Sequence, residues 1–431
     1  MFQAVRRAAS IPELRNRILF VLGMFSIFAV GAHIPVPGID HAKLAAIMGQ
    51  QGGGLLGLVD VFSGGAFRRM SLFAMGIAPY INSSIIMQMM AVAIPQLDAL
   101  QKEGESGRKQ IARITRRLTV ALSVLQATGM TLIFSRGGIE VSWITRIQII
   151  VTLTAASQFL VWMGEQVTEK GVGNGVSLVI FAGILLSLPY QVNLIWLQVS
   201  HGTVPWINMV LLIAAFVGTV YAVVYITEGT RRIPISHAKR VIGMRQTQAQ
   251  SSFLPIKVNT AGVMPIIFAI SMVLLPQTLV QLVPPASSGP FAWIHNFATW
   301  FNPAANWIPL GLYALAVIVF TYFYTSIVLN TEELSDNLRK YGNYIPGIRP
   351  GKPTLDYLER VVSRITLAGA VFLALVAVAQ YLIPAWTGFR SFTLVGGTSL
   401  LIVVGVGIET LQAIEAQLIM RNYEGFIRNK K

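Results

Sequence analysis

The chain has 431 residues, of which 54% are hydrophobic and only 12% charged, and its formal net charge is +15. A soluble domain is about 25% charged, so this composition belongs to an integral membrane protein. The lack of cysteine excludes disulfides, thiolate metal sites, iron–sulfur clusters and cysteine nucleophiles, and the five histidines are scattered without metal-ligand spacing.

Long apolar runs lie near residues 18–36, 72–96, 118–135, 147–168, 176–197, 207–227, 258–283, 306–329, 365–385 and 396–418. A hydrocarbon core of about 30 Å needs about 20 helical residues, so ten spans are expected. Residues 1–36 imitate a signal peptide, with arginines before an apolar run and small residues after it. Nine further spans follow, so the run is read as a retained first helix.

The stretch 58–90, LVDVFSGGAFRRMSLFAMGIAPYINSSIIMQMM, is apolar enough for a membrane yet broken. Ser63-Gly64-Gly65 and Arg68-Arg69 interrupt its first half; Gly76, Pro79 and Asn82-Ser83-Ser84 interrupt its second. In lipid, such a backbone would leave polar groups unpaired at several kcal/mol each, so the stretch belongs inside the protein or beside a water-filled path. A surface loop followed by one poor span is the plainer alternative.

Lysine and arginine fix the orientation. The N-terminus, the segments 97–117, 169–175, 228–257 and 330–364, and the C-terminus together hold 27 of the 33 basic residues. The positive-inside rule then puts both termini in the cytoplasm. The basic excess is a topology signal, since no soluble basic domain exists to bind nucleic acid. The loops 228–257 and 330–364 mix turn formers with basic residues, which suits protruding hairpins; solvated topology loops would read the same way.

The spans divide into two sets of five. The second carries Gly76, Pro79 and Asn82; the seventh, second in its own set, carries Asn259, Gly262, Pro265 and Pro276. Paired interruptions at corresponding positions point to a transport path. Ionisable groups at membrane depth are scarce, and Glu165, Glu409 and Glu415 lie toward the cytoplasmic ends, which favours a passive conduit over an ion-coupled carrier. Gly171 to Gly175 reads as a tight turn between helices rather than a nucleotide loop, and no phosphate loop, HExxH or GxSxG motif occurs.

Six stretches carry a resemblance: FSGGAFRRMSLFAMGIAPYINSSIIMQ (62–88), GEQVTEKGVGNGVSLVIFAGI (164–184), RRIPISHAKR (231–240), LPIKVNTAGVMPIIFA (254–269), PGIRPGKPTLDYL (346–358) and GGTSLLIVVGVGIETLQ (396–412). In this order they resemble the SecY family of bacterial protein-conducting channels along essentially the whole chain. The resemblance implies an all-α membrane protein of ten helices in two pseudo-symmetric halves, 1–200 and 201–431, around an hourglass pore. No enzymatic activity and no cofactor are implied.

It further implies a pore ring of Ile81, Ile85, Ile180, Ile184, Ile267 and Ile402. The first two pairs are spaced i, i+4, so each pair shares a helix face. A ring of branched apolar side chains wets poorly and resists ions. Packing or lipid-facing isoleucines would otherwise read the same. A plug at about 59–70 would include Val59, Phe62, Gly64, Gly65, Arg68 and Arg69, with the arginines facing the outer side. A lateral gate between the second and third spans and the seventh and eighth would use Gln88, Gln126 and Asn259. Docking of the SecA motor or of ribosomal RNA would fall to Arg231, Arg232, Lys239, Arg240, Arg349 and Lys352. The implied partners are SecE, SecG, SecA, the ribosome, signal sequences, nascent chains and membrane lipid, and the implied location is the bacterial inner membrane. The runner-up from the residues alone is a secondary transporter for small solutes, which would need a midplane site and a coupling ion.

Overall fold

A computed structural model describes residues 11–39, 60–136, 142–237, 241–242, 245–246, 251–282, 303, 306–389 and 397–428. In chain order its helices are α1 (Pro12–Gly31), α2 (Ala78–Ala93), α3 (Pro95–Lys102), α4 (Glu105–Arg136), α5 (Trp143–Lys170), α6 (Gly175–Ser200), α7 (Trp206–Glu228), α8 (Met264–Leu282), α9 (Trp307–Val328), α10 (Thr331–Lys340), α11 (Lys352–Thr387) and α12 (Thr398–Arg428). The strands are β1 (Thr230–His237), β2 (Val241–Ile242), β3 (Arg245–Gln246), β4 (Ser251–Lys257) and β5 (Asn343–Tyr344).

Each of the ten apolar runs falls on a helix. Among the described residues, seven helices are long and apolar enough to cross a membrane unaided, and the bent pair α2–α3 makes an eighth. The second, third and seventh spans are the ones that fall short alone. The second ends at Ala93, and the chain turns by 105° into α3. Pro95 causes this, because it forces Ile94 into extended backbone (ψ 114) and cannot continue the hydrogen-bond ladder. The second span also starts later than its hydropathy suggests: residues 63–70 and 72–77 form successive turns, and helix resumes only at Ala78.

One end of the bundle is rich in exposed tryptophan. Trp143, Trp206 and Trp307 open α5, α7 and α9, while Trp196 and Trp386 lie near the far ends of α6 and α11. All five side chains are exposed. The up-and-down order places them at one end of the bundle, as tryptophans at a membrane–water interface would be.

At the opposite end, the two long basic loops form one unit rather than two hairpins. β1 lies between β4 and β5, antiparallel to both. β4 comes from the first loop and β5 from the second. Ile233, Ile235 and Ile256 from the first loop pack with Leu338, Ile345 and Leu358 from the second and from α11. Asn330 caps α10 by accepting from the backbone N–H groups of Glu332 (3.1 Å) and Glu333 (3.2 Å). Acidic residues in its first turn and Arg339-Lys340 in its last complement the helix dipole.

Across the bundle, α8 packs on α2 and α4, while α6 packs on α12 and α7. The first five membrane helices therefore meet the last five along two seams.

Candidate functional site

Ile81 and Ile85 lie on α2, Ile180 and Ile184 on α6, Ile267 near the start of α8, and Ile402 near the start of α12. All six belong to the extended apolar core of the bundle, which also takes residues from α1, α5, α7, α9 and α11. Ile85, Ile180, Ile184 and Ile402 are buried, Ile184 completely, and Ile81 and Ile267 pack against them half-buried. The helices come from both sides of the two seams. A cavity of about 190 Å³ opens beside the cluster, walled by Ile180, Ile267 and Ile402 on one side and by Asn174, Ser177 and Glu409 toward the basic end. The i, i+4 spacing on α6 explains why Ile180 and Ile184 share one face. Asn174 starts that helix by accepting from the N–H groups of Val176 and Ser177, which fixes its register.

The broken stretch packs on this cluster. Gly64 and Gly65 have positive φ, 72° and 78°, a region open to glycine at no steric cost. Their double turn lets the chain reverse directly over α6. The backbone of Phe62 then sits against Gly183, one residue before Ile184, so closely that a Cβ on Gly183 would collide with the Phe62 carbonyl oxygen. Phe62 and Gly64 thus lie on α6 at Gly183 and Leu186.

Asp60 holds this turn together, and the sequence reading missed it. Its carbonyl accepts from Gly65 N (2.8 Å) and Ser63 Oγ (3.1 Å), and its Oδ1 accepts from Arg68 N (2.9 Å). The pattern Asp60-x-x-Ser63-Gly64-Gly65 is a local turn signal that could have been read. Arg68 adds an ion pair to Asp60 Oδ2 at 3.8 Å, and its guanidinium lies 3.0 Å over the Tyr190 ring of α6. Tyr190 also went unread, since nothing in the sequence links it to residue 68. Arg68 and Arg69 are half-buried rather than free in solvent, and Tyr190 puts Arg68 on the half of α6 that carries Trp196. Beyond them, the turn is tied to the chain after α1 by Val36 N to Met70 O and Leu72 N to Ile34 O, both 2.9 Å.

The residues assigned to a lateral gate make no hydrogen bond to one another among the described residues. Gln88 donates to Ser84 one turn back on α2 (3.2 Å), and Asn259 donates to Gly262 O (3.1 Å), so both bonds are local. Gln126 is half-buried on α4. The Asn259 Oδ1 is buried with no partner among the described residues. The seam itself is the packing of α8 on α2 and α4.

On the basic end, Arg231 and Arg232 are exposed on β1, and Arg349 and Lys352 are exposed at the turn into α11. Thr354 Oγ1 donates to the Arg349 carbonyl (2.8 Å), which holds that turn while leaving the guanidinium free to protrude. Lys239, Arg240 and Val59 lie outside the described residues.

The SecY family model matches residues 71–411. The protein translocase subunit SecY of Streptomyces scabiei is 41% identical over 445 residues, covering 99% of this chain and 100% of that protein. That of Staphylococcus epidermidis is 40% identical and covers 99% of each. Among solved structures, a protein-conducting channel superposes with a TM-score of 0.65 at 17% identity, over 94% of this chain and 93% of the other. Sec61 from the canine ribosome–channel complex of the endoplasmic reticulum gives 0.61 at 15% identity, over 94% and 93%.

Proposed function

This chain belongs to the SecY family of protein translocase subunits, and from that premise we propose how it conducts a polypeptide. It is a multi-pass membrane protein and a protein-conducting channel. The carrying observation is the Phe62–Gly65 turn, packed on α6 at Gly183 and Leu186, near a cavity lined by Ile180, Ile267 and Ile402 from three helices.

In this reading the six isoleucines are the waist of the pore. Branched apolar side chains offer a crossing polypeptide no hydrogen bonds to hold it, and they exclude ions by poor wetting. Residues 59–70 are the plug, at rest over the waist and latched by Asp60, Arg68 and Tyr190. Residues 1–200 and 201–431 are the two halves. The seam of α8 against α2 and α4 is the lateral gate, through which transmembrane segments leave for lipid.

The fused basic platform docks the partners. SecA and ribosomal RNA would meet Arg231, Arg232, Lys239, Arg240, Arg349 and Lys352, since arginine's planar fork suits phosphates and carboxylates. Sec61, which shares this fold, occurs in a ribosome–channel complex. SecE and SecG complete the channel, both termini face the cytoplasm, and the membrane is the bacterial inner membrane.

Reconstitution tests the reading. Vesicles containing this chain with SecE and SecG should pass a secretory polypeptide when SecA and ATP are supplied. Failure to protect that substrate from added protease, in vesicles where the complex is assembled, overturns it.

A further inference from the structure

We propose that Glu409 is a binding site for cationic groups of the entering polypeptide, placed just before the waist. This rests on the channel reading and adds a feature of the substrate.

The cavity beside the isoleucine cluster has two kinds of wall. Ile180, Ile267, Ile402 and Val406 make an apolar side; Asn174, Ser177, Thr260 and Glu409 make a polar one. Among the described residues, Glu409 is the only carboxylate in that lining, and no lysine, arginine or histidine joins it. Its side chain is exposed to this space. Glu165, also at the basic end of the bundle, is neutralised by Arg116 at 3.0 Å. Glu409 makes no such ion pair among the described residues. Lys257 acts on it through space, but the Lys257 ammonium is held by Gln412 Oε1 at 3.0 Å. The start of α6 does not require the carboxylate either, because Asn174 already satisfies the N–H groups of Val176 and Ser177.

Ionisable residues of membrane proteins that face a cavity mark substrate paths. Here it lies behind a strongly basic end of the bundle, which repels a basic segment until that segment reaches the cavity. The leading segment of a secretory chain is a positively charged region followed by an apolar run. The cavity offers a counter-charge for the first and an apolar wall for the second, in that order along the path. Glu409 would therefore hold the cationic end on the platform side while the apolar run goes on to the waist.

The test uses the complete reconstituted complex and two substrates identical except for their leaders, one with three lysines before the apolar run and one with none. Glu409→Gln should slow engagement of the basic leader by about three- to tenfold, as loss of a semi-exposed charge contact does, and leave the neutral leader within about twofold. Glu409→Lys should slow the basic leader further, and Glu409→Asp should restore it. Because the chain contains no cysteine, Thr260→Cys in the cavity wall reports the local potential directly. It should react faster with a cationic than with an anionic methanethiosulfonate reagent, and Glu409→Gln should collapse that ratio. Equal slowing of both leaders, slowing of neither, or an unchanged reagent ratio overturns the proposal. Should Glu409→Lys fail to assemble, the near-isosteric glutamine variant and the reagent ratio still decide. A wild-type complex that passes neither leader refutes the channel reading instead.

Discussion

One added methyl group at Gly183 should unseat the resting plug without harming the helix that carries it. A Cβ built there overlaps the Phe62 carbonyl oxygen and lies 3.1 Å from its carbon and 3.5 Å from Gly64 N. Carbon atoms pack best at about 3.5–4.0 Å, so the turn must withdraw by on the order of 0.5–1 Å. The obstructing atoms are backbone, so no rotamer change relieves the contact. Overpacking of this kind costs about 1–3 kcal/mol. At about 1.4 kcal/mol per factor of ten, the displaced plug becomes about 5- to 150-fold more populated. The helix itself is not the weak point, since alanine is intrinsically about 1 kcal/mol better than glycine in a helix interior.

Ion conductance of the idle complex in planar bilayers reads that population. Gly183→Ala should raise the frequency of leak openings by about tenfold, within the range just derived. Gly218→Ala on α7 is the matched control, because nothing lies within 4 Å of the Cβ it would add. If both variants assemble normally and conduct alike, the plug is not seated on α6 and the argument fails.

Three further perturbations test neighbouring parts of the same picture. Replacing Ile81, Ile85 and Ile267 with glycine should raise idle ion leak, because a wider and more polar waist wets readily; unchanged bilayer conductance would remove the ring assignment. Tyr190→Leu should release Arg68 at a cost of about 0.5–2 kcal/mol and make defective leaders pass more easily, whereas Tyr190→Phe keeps the ring face and should behave as wild type in a translocation assay. Arg349→Glu should strongly reduce SecA-driven translocation at equal membrane levels while leaving topology intact, since topology depends on summed charge and a docking contact on one position. Equal rates for Arg349→Glu and wild type would return that loop to a topology signal.

The parts of this protein legible in its sequence are those that local physics decides. Ten apolar runs gave ten helices because a backbone in lipid has to satisfy its own hydrogen bonds, whatever the neighbours are. The isoleucine pairs of α2 and α6 could be read as sharing a face because i, i+4 spacing fixes that within one helix. That Ile267 and Ile402 join them was implied by family resemblance alone, since no periodicity relates positions on different helices. The second span began late for a related reason. Hydropathy counts apolar side chains, and residues 72–77 are apolar but follow a glycine turn tied at Leu72 to the chain after α1, a tertiary restraint.

The unread features all depend on contacts between distant segments. Arg68 and Tyr190 meet across 122 positions of the chain, and either alone is an ordinary residue of its type. The basic loops looked like separate hairpins because each contains its own turn formers. Yet β1 carries Ile233 and Ile235 toward one side, and an isolated two-stranded hairpin with one apolar face is marginal in water. That face needed a cover, and the second loop supplies it through Leu338, Ile345 and Leu358. The alternation in RRIPISH therefore held half of the answer: it declared a buried face without naming what buries it. Pro234 held another part. Proline donates no ladder hydrogen bond, so a central strand tolerates it only where one flank is open. β5 pairs with β1 only at Ser236 and His237, leaving that flank free at Pro234. The short reach of β5 is thus the partner that a proline-bearing strand permits. The platform's architecture follows from the two loops together, although neither specifies it alone.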